Sequence, residues 1–133
     1  MKFEEIYKHD IFANEAGVVL QSVSDTEAVM TLKVERRHLN GGNFAHGGAI
    51  YLLCDIAMAA LANHRQPISV SIQTDIKFIS VAVEGDLLTA TAEEIIGRKT
   101  LYYSRVSVRN QEGKLIATAE GMLHTKPNAV VGR

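Results

Sequence analysis

One carboxylate lies in the middle of a long apolar run of the sequence. Asp55 is the only residue between Gly48 and Ala62 that is charged at neutral pH. The run consists of good helix formers and is apolar nearly all the way round, which is typical of a buried helix. A buried carboxylate needs partners or a raised pKa, and such carboxylates cluster at functional sites. Asp55 is therefore a candidate for acid–base chemistry, unless it lies on an exposed part of the helix or bonds a nearby loop.

A glycine-rich turn precedes this helix. Residues 40–48 read Asn-Gly-Gly-Asn-Phe-Ala-His-Gly-Gly, and their glycines allow backbone angles that other residues reach only at a cost. A helix that begins at Gly47 and Gly48 presents free backbone N–H groups and the positive end of its dipole. Such a helix start can bind an oxyanion or polarise a carbonyl. Turns also use glycine for structural reasons, so this pattern is only weak evidence for a functional site when it is taken without Asp55.

The other reactive residues are poorly spaced for alternative chemistries. His46 and His64 each lie nine residues from Asp55, which is ~13.5 Å along a helix and too far for a hydrogen-bonded pair within one chain. The sequence has no His-x-x-x-His motif and no Cys/His cluster, so we expect no metal site. Cys54 has no histidine at an activating spacing, and we interpret it as a core residue.

Composition and charge disfavour several classes of protein. A net charge of −1 over 133 residues argues against a general nucleic-acid binder, which carries a basic face. A single cysteine allows no intrachain disulfide. The first residues hold no apolar signal core, and no apolar run reaches the ~18 residues that a membrane span needs. We therefore expect a cytoplasmic protein that binds neither nucleic acid nor a membrane.

The hydrophobic pattern predicts one α+β domain over residues 1–133. A short N-terminal helix within residues 1–11 precedes two strands, one buried helix, four further strands and a frayed tail over residues 126–133. The strands are expected over residues 18–23, 28–34, 68–78, 87–96, 101–109 and 115–124, and the buried helix over residues 49–62. In the third strand, polar and apolar residues alternate strictly. Because an open sheet cannot cover one helix completely, self-association is expected.

The pattern Asn40-x5-His46-Gly47-Gly48-x6-Asp55 resembles the PaaI-like (phenylacetate-pathway) branch of the hotdog-fold thioesterases, also called the 4-hydroxybenzoyl-CoA thioesterase superfamily. The similarity extends over about residues 12–126. It implies a hotdog fold, in which a mainly antiparallel six-stranded sheet wraps around a long central helix. It also implies hydrolysis of an acyl- or aryl-coenzyme A thioester to the free acid and coenzyme A, without a metal or other cofactor.

The resemblance implies a catalytic role for five residues. Asp55 is the general base or the nucleophile, and the backbone N–H of Gly47 polarises the thioester carbonyl. Asn40 orients the water or the carboxylate, and His46 helps to set the turn and contacts the thioester region. Ser71 lies on the opposite strand, near the attacking water.

Substrate binding is expected at the helix start and in one loop. Gly48 belongs to the helix start, whereas Arg98, Lys99 and Thr100 lie where the family has its coenzyme A-contacting loop. In this interpretation the two basic residues meet the phosphates of coenzyme A, and the alternative is that they are simply solvated.

The acyl group stays open at this point. Ile50, Tyr51 and Met58 on the helix are candidates for an acyl pocket, although core packing is the favoured interpretation for each. Phenylacetyl, hydroxybenzoyl, medium-chain and long-chain thioesters all fit the motif equally well.

The resemblance also predicts assembly. Members of the family dimerise edge to edge, and each site combines the aspartate of one chain with the turn of the other, so we expect a homodimer or a dimer of dimers. Two other functions compete with thioester hydrolysis. A hotdog dehydratase or hydratase uses a different turn motif, and a non-catalytic acyl-CoA-binding protein normally lacks the helix carboxylate. A purely structural protein is the third alternative.

Overall fold

The computed structural model describes residues 3–65 and 68–126. The chain begins with two short helices, α1 (Phe3–Lys8) and α2 (Ile11–Ala16), which corrects the prediction of a single helix within residues 1–11. The helix is interrupted because the Asp10 side chain accepts a hydrogen bond from the Ala13 amide at 3.0 Å and caps the start of α2. Gly17 ends α2 with a φ of 90°, a left-handed conformation that glycine adopts without strain.

Six antiparallel strands form one sheet, as the sequence predicts. They are β1 (Val19–Val23), β2 (Glu27–Lys33), β3 (Ser69–Phe78), β4 (Leu87–Gly97), β5 (Leu101–Arg109) and β6 (Leu115–Thr125). Their order across the sheet is β1-β2-β4-β5-β6-β3, and every neighbouring pair is antiparallel. β1 and β3 are therefore the two edges of the sheet. Each predicted strand boundary lies within one residue of the observed one.

A long helix, α3 (Gly47–Arg65), packs across one face of the sheet. It begins two residues before the predicted start and ends three residues after the predicted end. From Ala28 in β2 to Val34 just after it, the side chains alternate as expected, and the apolar side chain at every second position is buried beneath the helix. Burial of these side chains from both layers forms the hydrophobic core.

One stripe of α3 is not covered by the chain itself, so the predicted all-round burial is wrong there. Gly48 is exposed, the Tyr51 side chain is 38% exposed, and Asp55 is only partly buried. These residues follow one another at three- and four-residue steps, which places them on one face of the helix. We call these three residues the open stripe.

β3 departs from the strict alternation predicted for it. Its register against β6 shifts between Ser71 and Gln73, so that Ile72 is an extra residue of the bulged strand. Ser69 is consequently buried and Ser71 reaches α3, whereas Ile72 is 58% exposed. The bulge therefore decides which polar side chains of β3 reach the helix.

Two expectations concern the C-terminal tail and the presence of a membrane-spanning helix. The amide of Lys126, the residue after β6, donates to the carbonyl of Ile68 at 2.7 Å. The rest of the predicted frayed tail, residues 127–133, lies outside the described residues. Within the ranges that the structure describes, no helix combines the length and the apolar character that crossing a membrane requires.

Asn63 ties the end of α3 to the start of β3. Its amide nitrogen donates to the carbonyls of Ala59 at 2.8 Å and of Ser69 at 3.1 Å, and its amide oxygen accepts from the Ser69 backbone N–H at 2.8 Å. The side chain is buried, so these bonds satisfy backbone groups that water does not reach.

We expect Asn63→Ala to lower the free energy of unfolding by about 2–4 kcal/mol, because it removes the bonds to two buried backbone groups of Ser69. Urea denaturation at neutral pH measures the change. Asn14→Ala is the matched control, since Asn14 also donates its side-chain amide to backbone carbonyls but does so in exposed positions. Equal losses in the two variants would contradict the role given to Asn63.

Candidate active site

Asp55 and Ser71 form a hydrogen-bonded pair between α3 and β3. The Ser71 hydroxyl donates to the Asp55 carboxylate Oδ1 at 3.0 Å. The helix carries Asp55 near its middle, and the bulge at Ile72 sets the direction of the Ser71 side chain. A serine hydroxyl has one proton and two acceptor sites, so Ser71 can still accept a hydrogen bond while it donates to Asp55.

The environment of Asp55 shifts its pKa. Burial is the largest influence and raises the pKa of this carboxyl, because the charged form loses hydration. The hydrogen bond from Ser71 acts in the opposite direction, since it stabilises the carboxylate. The negative charge of Asp10 adds to the increase. The net effect is a raised pKa, which is a frequent property of carboxyl groups that act as acids or bases.

Asn40 holds the glycine-rich turn in shape. Its side-chain oxygen accepts from the backbone amides of Gly42 at 2.9 Å and Phe44 at 3.1 Å. Its backbone N–H donates to the Phe44 carbonyl at 2.8 Å. Asn43, inside the turn, has a φ of 65°. In this chain Asn40 therefore bonds the turn, and among the described residues it makes no hydrogen bond to Asp55.

The start of α3 leaves one backbone amide available. The His46 ring nitrogen Nδ1 accepts from the Gly48 amide at 2.8 Å, and the His46 carbonyl accepts from Ala49 and Ile50. The amide of Gly47 has no acceptor within residues 3–65 and 68–126. Because Nδ1 is an acceptor, a neutral His46 ring carries its proton on Nε2. The Gly47 N–H thus combines an unused donor with the positive end of the helix dipole.

An aromatic ring lies directly against this helix start. A Cβ atom added to Gly47 would lie 3.2 Å from Cζ of Phe78, closer than most carbon contacts. The absence of a side chain at Gly47 therefore lets the ring approach the backbone without being displaced. Phe78 was not among the predicted site residues. The sequence features that could have indicated this contact are an aromatic residue at the end of an alternating strand and a glycine at the helix start.

The turn and the carboxylate do not meet within one chain. His46 precedes the first residue of α3 and Asp55 lies nine residues later, ~13.5 Å along the helix axis. The described chain thus contains two half-sites. One consists of Asp55 and Ser71, and the other of His46, the Gly47 amide and the turn that Asn40 supports.

The loop proposed to contact coenzyme A is exposed. Arg98, Lys99 and Thr100 connect β4 to β5, and all three are solvent-accessible. The Arg98 amide donates to the Leu101 carbonyl at 2.8 Å, which closes the hairpin, and within the described chain neither basic side chain forms an ion pair. Their charges are therefore available to an anion.

A cavity that the sequence did not reveal adjoins the helix start. It has a volume of about 400 Å³ and lies between α2, the 3₁₀ turn Arg36–His38 and the first two turns of α3. Its apolar lining includes Phe12, Ala16, Leu39, Ala49 and Leu52. The residues belong to three separate parts of the chain, so no single stretch of sequence indicates the cavity.

The three helix residues suggested for an acyl pocket do not line this cavity. Ile50 and Met58 are buried in the hydrophobic core, which confirms the favoured interpretation for both. Tyr51 belongs to the open stripe. In an α-helix the residue two positions after Ile50 points to a different face, and it is Leu52 rather than Ile50 that reaches the cavity.

Cys54 is buried in the core, as predicted. Burial, followed by the negative charge of Asp55, raises the pKa of its thiol to about 12. Within the described part of the chain, no three His, Cys, Asp or Glu side chains are grouped so that they could hold a metal ion. The groups that the two parts of the candidate site present are a carboxylate, a hydroxyl and a backbone amide.

Comparison with known proteins decides the family. A family model described as the thioesterase superfamily matches residues 42–117, which include most of the turn, the helix start and the Asp55–Ser71 pair, but not Asn40. The chain belongs to the thioesterase superfamily. It is therefore a thioester hydrolase, and the PaaI-like resemblance is confirmed by relatives that match most of its length.

Two relatives and two solved structures illustrate this. The acyl-coenzyme A thioesterase PaaI of Escherichia coli is 31% identical, over 96% of this chain and 91% of PaaI. The human acyl-coenzyme A thioesterase 13 is 33% identical, over 82% of this chain and 78% of the human one. The solved structure of E. coli PaaI superposes with a TM-score of 0.91, at 30% identity over 94% of this chain and 91% of that one. A hypothetical thioesterase of Streptococcus pneumoniae, solved with coenzyme A, gives a TM-score of 0.85, at 25% identity over 93% and 96% of the two chains.

These superpositions confirm the hotdog fold expected for the thioesterase. The six-stranded sheet, the long central helix and the short N-terminal helices match the fold of these neighbours.

We expect Ser71→Ala to move the acid limb of the thioesterase pH–rate profile to higher pH. The variant loses the hydrogen bond that lowers the pKa of Asp55, so this carboxyl, the expected general base, stays protonated up to a higher pH. The measurement is kcat/KM against pH. Ser71→Thr retains the hydroxyl and should keep the wild-type profile. An unchanged acid limb in Ser71→Ala would refute the coupling.

Proposed function

We propose that this thioesterase hydrolyses acyl- or aryl-coenzyme A thioesters to the free acid and coenzyme A, with no metal or other cofactor. The observation that carries the proposal is a partly buried carboxylate of raised pKa, bonded to Ser71, together with an unused amide at a helix start. Its relatives support the leaving group, since two are named for acyl-coenzyme A and one neighbour was solved with coenzyme A.

In the proposed reaction Asp55 acts as a general base. It takes a proton from a water molecule while the water oxygen bonds to the thioester carbon. The carbonyl π electrons move to oxygen, and the resulting oxyanion accepts a hydrogen bond from the Gly47 amide. In such sites, removal of one hydrogen-bond donor to the oxyanion lowers the rate about 10²–10³-fold. Collapse of the tetrahedral intermediate breaks the carbon–sulfur bond, and the thiolate takes the proton back from Asp55.

The Asp55–Ser71 pair suits the attacking water. Ser71 donates its only proton to Asp55 and keeps acceptor capacity, so one water can donate to both Ser71 and the carboxylate. A raised pKa brings Asp55 closer to the working pH, which makes it a stronger base than an ordinary exposed carboxylate. Asn40 and His46 then act on the turn, by holding the Gly47 amide in place.

Each complete site is proposed to need two chains. The edge strand β3 exposes Val70, Ile72 and Phe78, the last being 54% accessible, and an open edge of this kind favours pairing with another strand. A two-fold axis beside β3 would pair the two edges and set two α3 helices antiparallel. The turn of one chain would then approach Asp55 of its partner, in a homodimer or in a dimer of such dimers.

Coenzyme A is proposed to bind along the β4–β5 loop. Arg98 and Lys99 are exposed and unpaired by other charges, which suits them to the phosphates of the nucleotide portion. Thr100 and the Gly48 region complete the proposed contacts at the two ends of the ligand.

We expect Asp55→Asn to lower kcat by about 10²-fold or more, as loss of a general base does. Acyl-CoA hydrolysis, followed by the release of free thiol, measures it. Because folding raises the pKa of Asp55, its ionisation weakens the folded state as the pH rises through that pKa. At neutral pH the Asn variant should therefore unfold at no lower a urea concentration than the wild type. Wild-type turnover in a folded Asp55→Asn variant would refute the mechanism.

Subunit complementation tests the shared site. Asp55→Asn and Asn40→Ala should each be inactive, the second because it removes the bonds that shape the turn. After subunit exchange, a mixed dimer has one site with both lesions and one with neither, so activity should rise towards half of the wild-type value per mixed dimer. Differently tagged chains verify the exchange, and each variant mixed with itself is the control. No recovery after verified exchange would place each site within one chain.

A further inference from the structure

The cavity between α2 and α3 begins where the thioester carbonyl is proposed to bind. His46 and Gly48, the two residues that flank Gly47, both line it. An acyl group whose carbonyl oxygen bonds to the Gly47 amide therefore has this cavity directly beside it. The inference that follows rests on the proposed function, since it concerns the acyl half of the same substrate.

Most of the exposed lining of the cavity is apolar and comes from two helices and the 3₁₀ turn region. Phe12 and Ala16 come from α2, Leu39 from the turn, and Ala49 and Leu52 from α3. Contact with such a surface favours hydrocarbon over water, by up to about fourfold in affinity for each methylene that is fully buried.

Two nitrogen-bearing side chains at the cavity are already bonded within the protein. His38 accepts from the Glu35 amide through Nδ1 at 2.9 Å and donates to the Ala16 carbonyl through Nε2 at 2.7 Å. Arg37 bonds the Glu15 carbonyl and forms an ion pair with Glu35 at 3.0 Å. The Arg37 charge is therefore not free to pair with a charge at the far end of an acyl group.

The charge at the cavity disfavours a second carboxylate on the substrate. Glu15, which carries a negative charge, is one of the lining residues, while the positive charge of Arg37 is balanced by Glu35. A dicarboxylic acyl group would therefore bring its free carboxylate close to Glu15 without gaining an unpaired cation.

We propose that this cavity is the acyl pocket, that it selects hydrocarbon acyl groups, aliphatic or phenyl-containing, over dicarboxylic ones, and that Ala16 and Ala49 set the length it accepts. At the ~30 Å³ that a water-sized group occupies in a liquid, about 400 Å³ holds roughly a dozen such groups. Medium-length chains and phenylacetyl fit this volume. Apart from Gly48, the two alanines are the smallest residues of the lining, so their side chains leave the space that longer ones would fill.

The first experiment compares matched substrates on the wild-type thioesterase. We expect kcat/KM to be about 10- to 100-fold higher for octanoyl-CoA than for 7-carboxyheptanoyl-CoA, and for phenylacetyl-CoA than for 4-carboxyphenylacetyl-CoA. Equal kcat/KM within each pair, or a preference for the dicarboxylic member, would overturn the selectivity.

The second experiment fills the cavity. Ala49→Leu and Ala16→Leu should each lower the ratio of kcat/KM for octanoyl-CoA to that for butyryl-CoA by at least 10-fold, because the added side chain takes the space of the distal carbons. Ser107→Leu, which adds similar bulk on the opposite face of the sheet, is the control and should leave the ratio unchanged. A constant ratio in both cavity variants would place the acyl group elsewhere.

The outcomes separate this inference from the proposed function. A wild-type protein that hydrolyses none of these coenzyme A thioesters overturns both. A wild type that hydrolyses them, with a ratio unmoved by either substitution, overturns only the acyl pocket. Should one alanine variant fail to fold, the other and the wild-type substrate pairs still decide the question.

Discussion

A rigid helix keeps the two reactive groups of this thioesterase apart. The rise of α3 places the Gly47 amide and the Asp55 carboxylate more than two helical turns from each other, and no side-chain movement closes that distance. Two other features of the structure are consistent with a site that is completed by a second chain. The open stripe of the helix and the unpaired edge of β3 lie where a second chain would have to supply the missing half.

The helix is held in place by contacts that differ at its two ends. At its start, the His46 ring binds the Gly48 amide, Asn40 braces the preceding turn, and the Phe78 ring packs on Gly47. At its end, Asn63 bonds to Ser69. The contacts of Phe78 and of Asn63 both involve β3, so the edge strand that carries Ser71 also anchors the helix that carries Asp55. The proposed catalysis and the proposed assembly therefore depend on the same strand.

Much of the fold could be predicted because it depends on periodicity. Alternating residues located β2 and β5 closely, and the apolar run located α3. The bulge at Ile72 could not be predicted, because it depends on how β3 registers with β6 rather than on its own alternation. The break between α1 and α2 coincides with a single capping contact of Asp10. A cap of this kind stabilises a helix start by only about 1 kcal/mol, so the sequence pattern alone does not reveal it.

The candidate site, too, could be predicted only in part from the sequence. Asp55 was conspicuous because a charge in an apolar helix is rare, and Ser71 was named from resemblance. The bonds of Asn40 depend on the local turn geometry, and motif similarity pointed to the water or the carboxylate instead. The cavity could not be foreseen, since Phe12, Leu39 and Leu52 approach one another only after α2, the 3₁₀ turn and α3 have packed.

The buried thiol of Cys54 has a consequence for the product of the reaction. Hydrolysis of a coenzyme A ester would release a free thiol beside the helix that carries the only cysteine of the chain. Thiol–disulfide exchange requires a thiolate, and with a pKa of about 12 the Cys54 sulfur is almost entirely protonated at neutral pH. Oxidised coenzyme A therefore has no reactive partner at this position. The protein is protected from forming a mixed disulfide with its own leaving group.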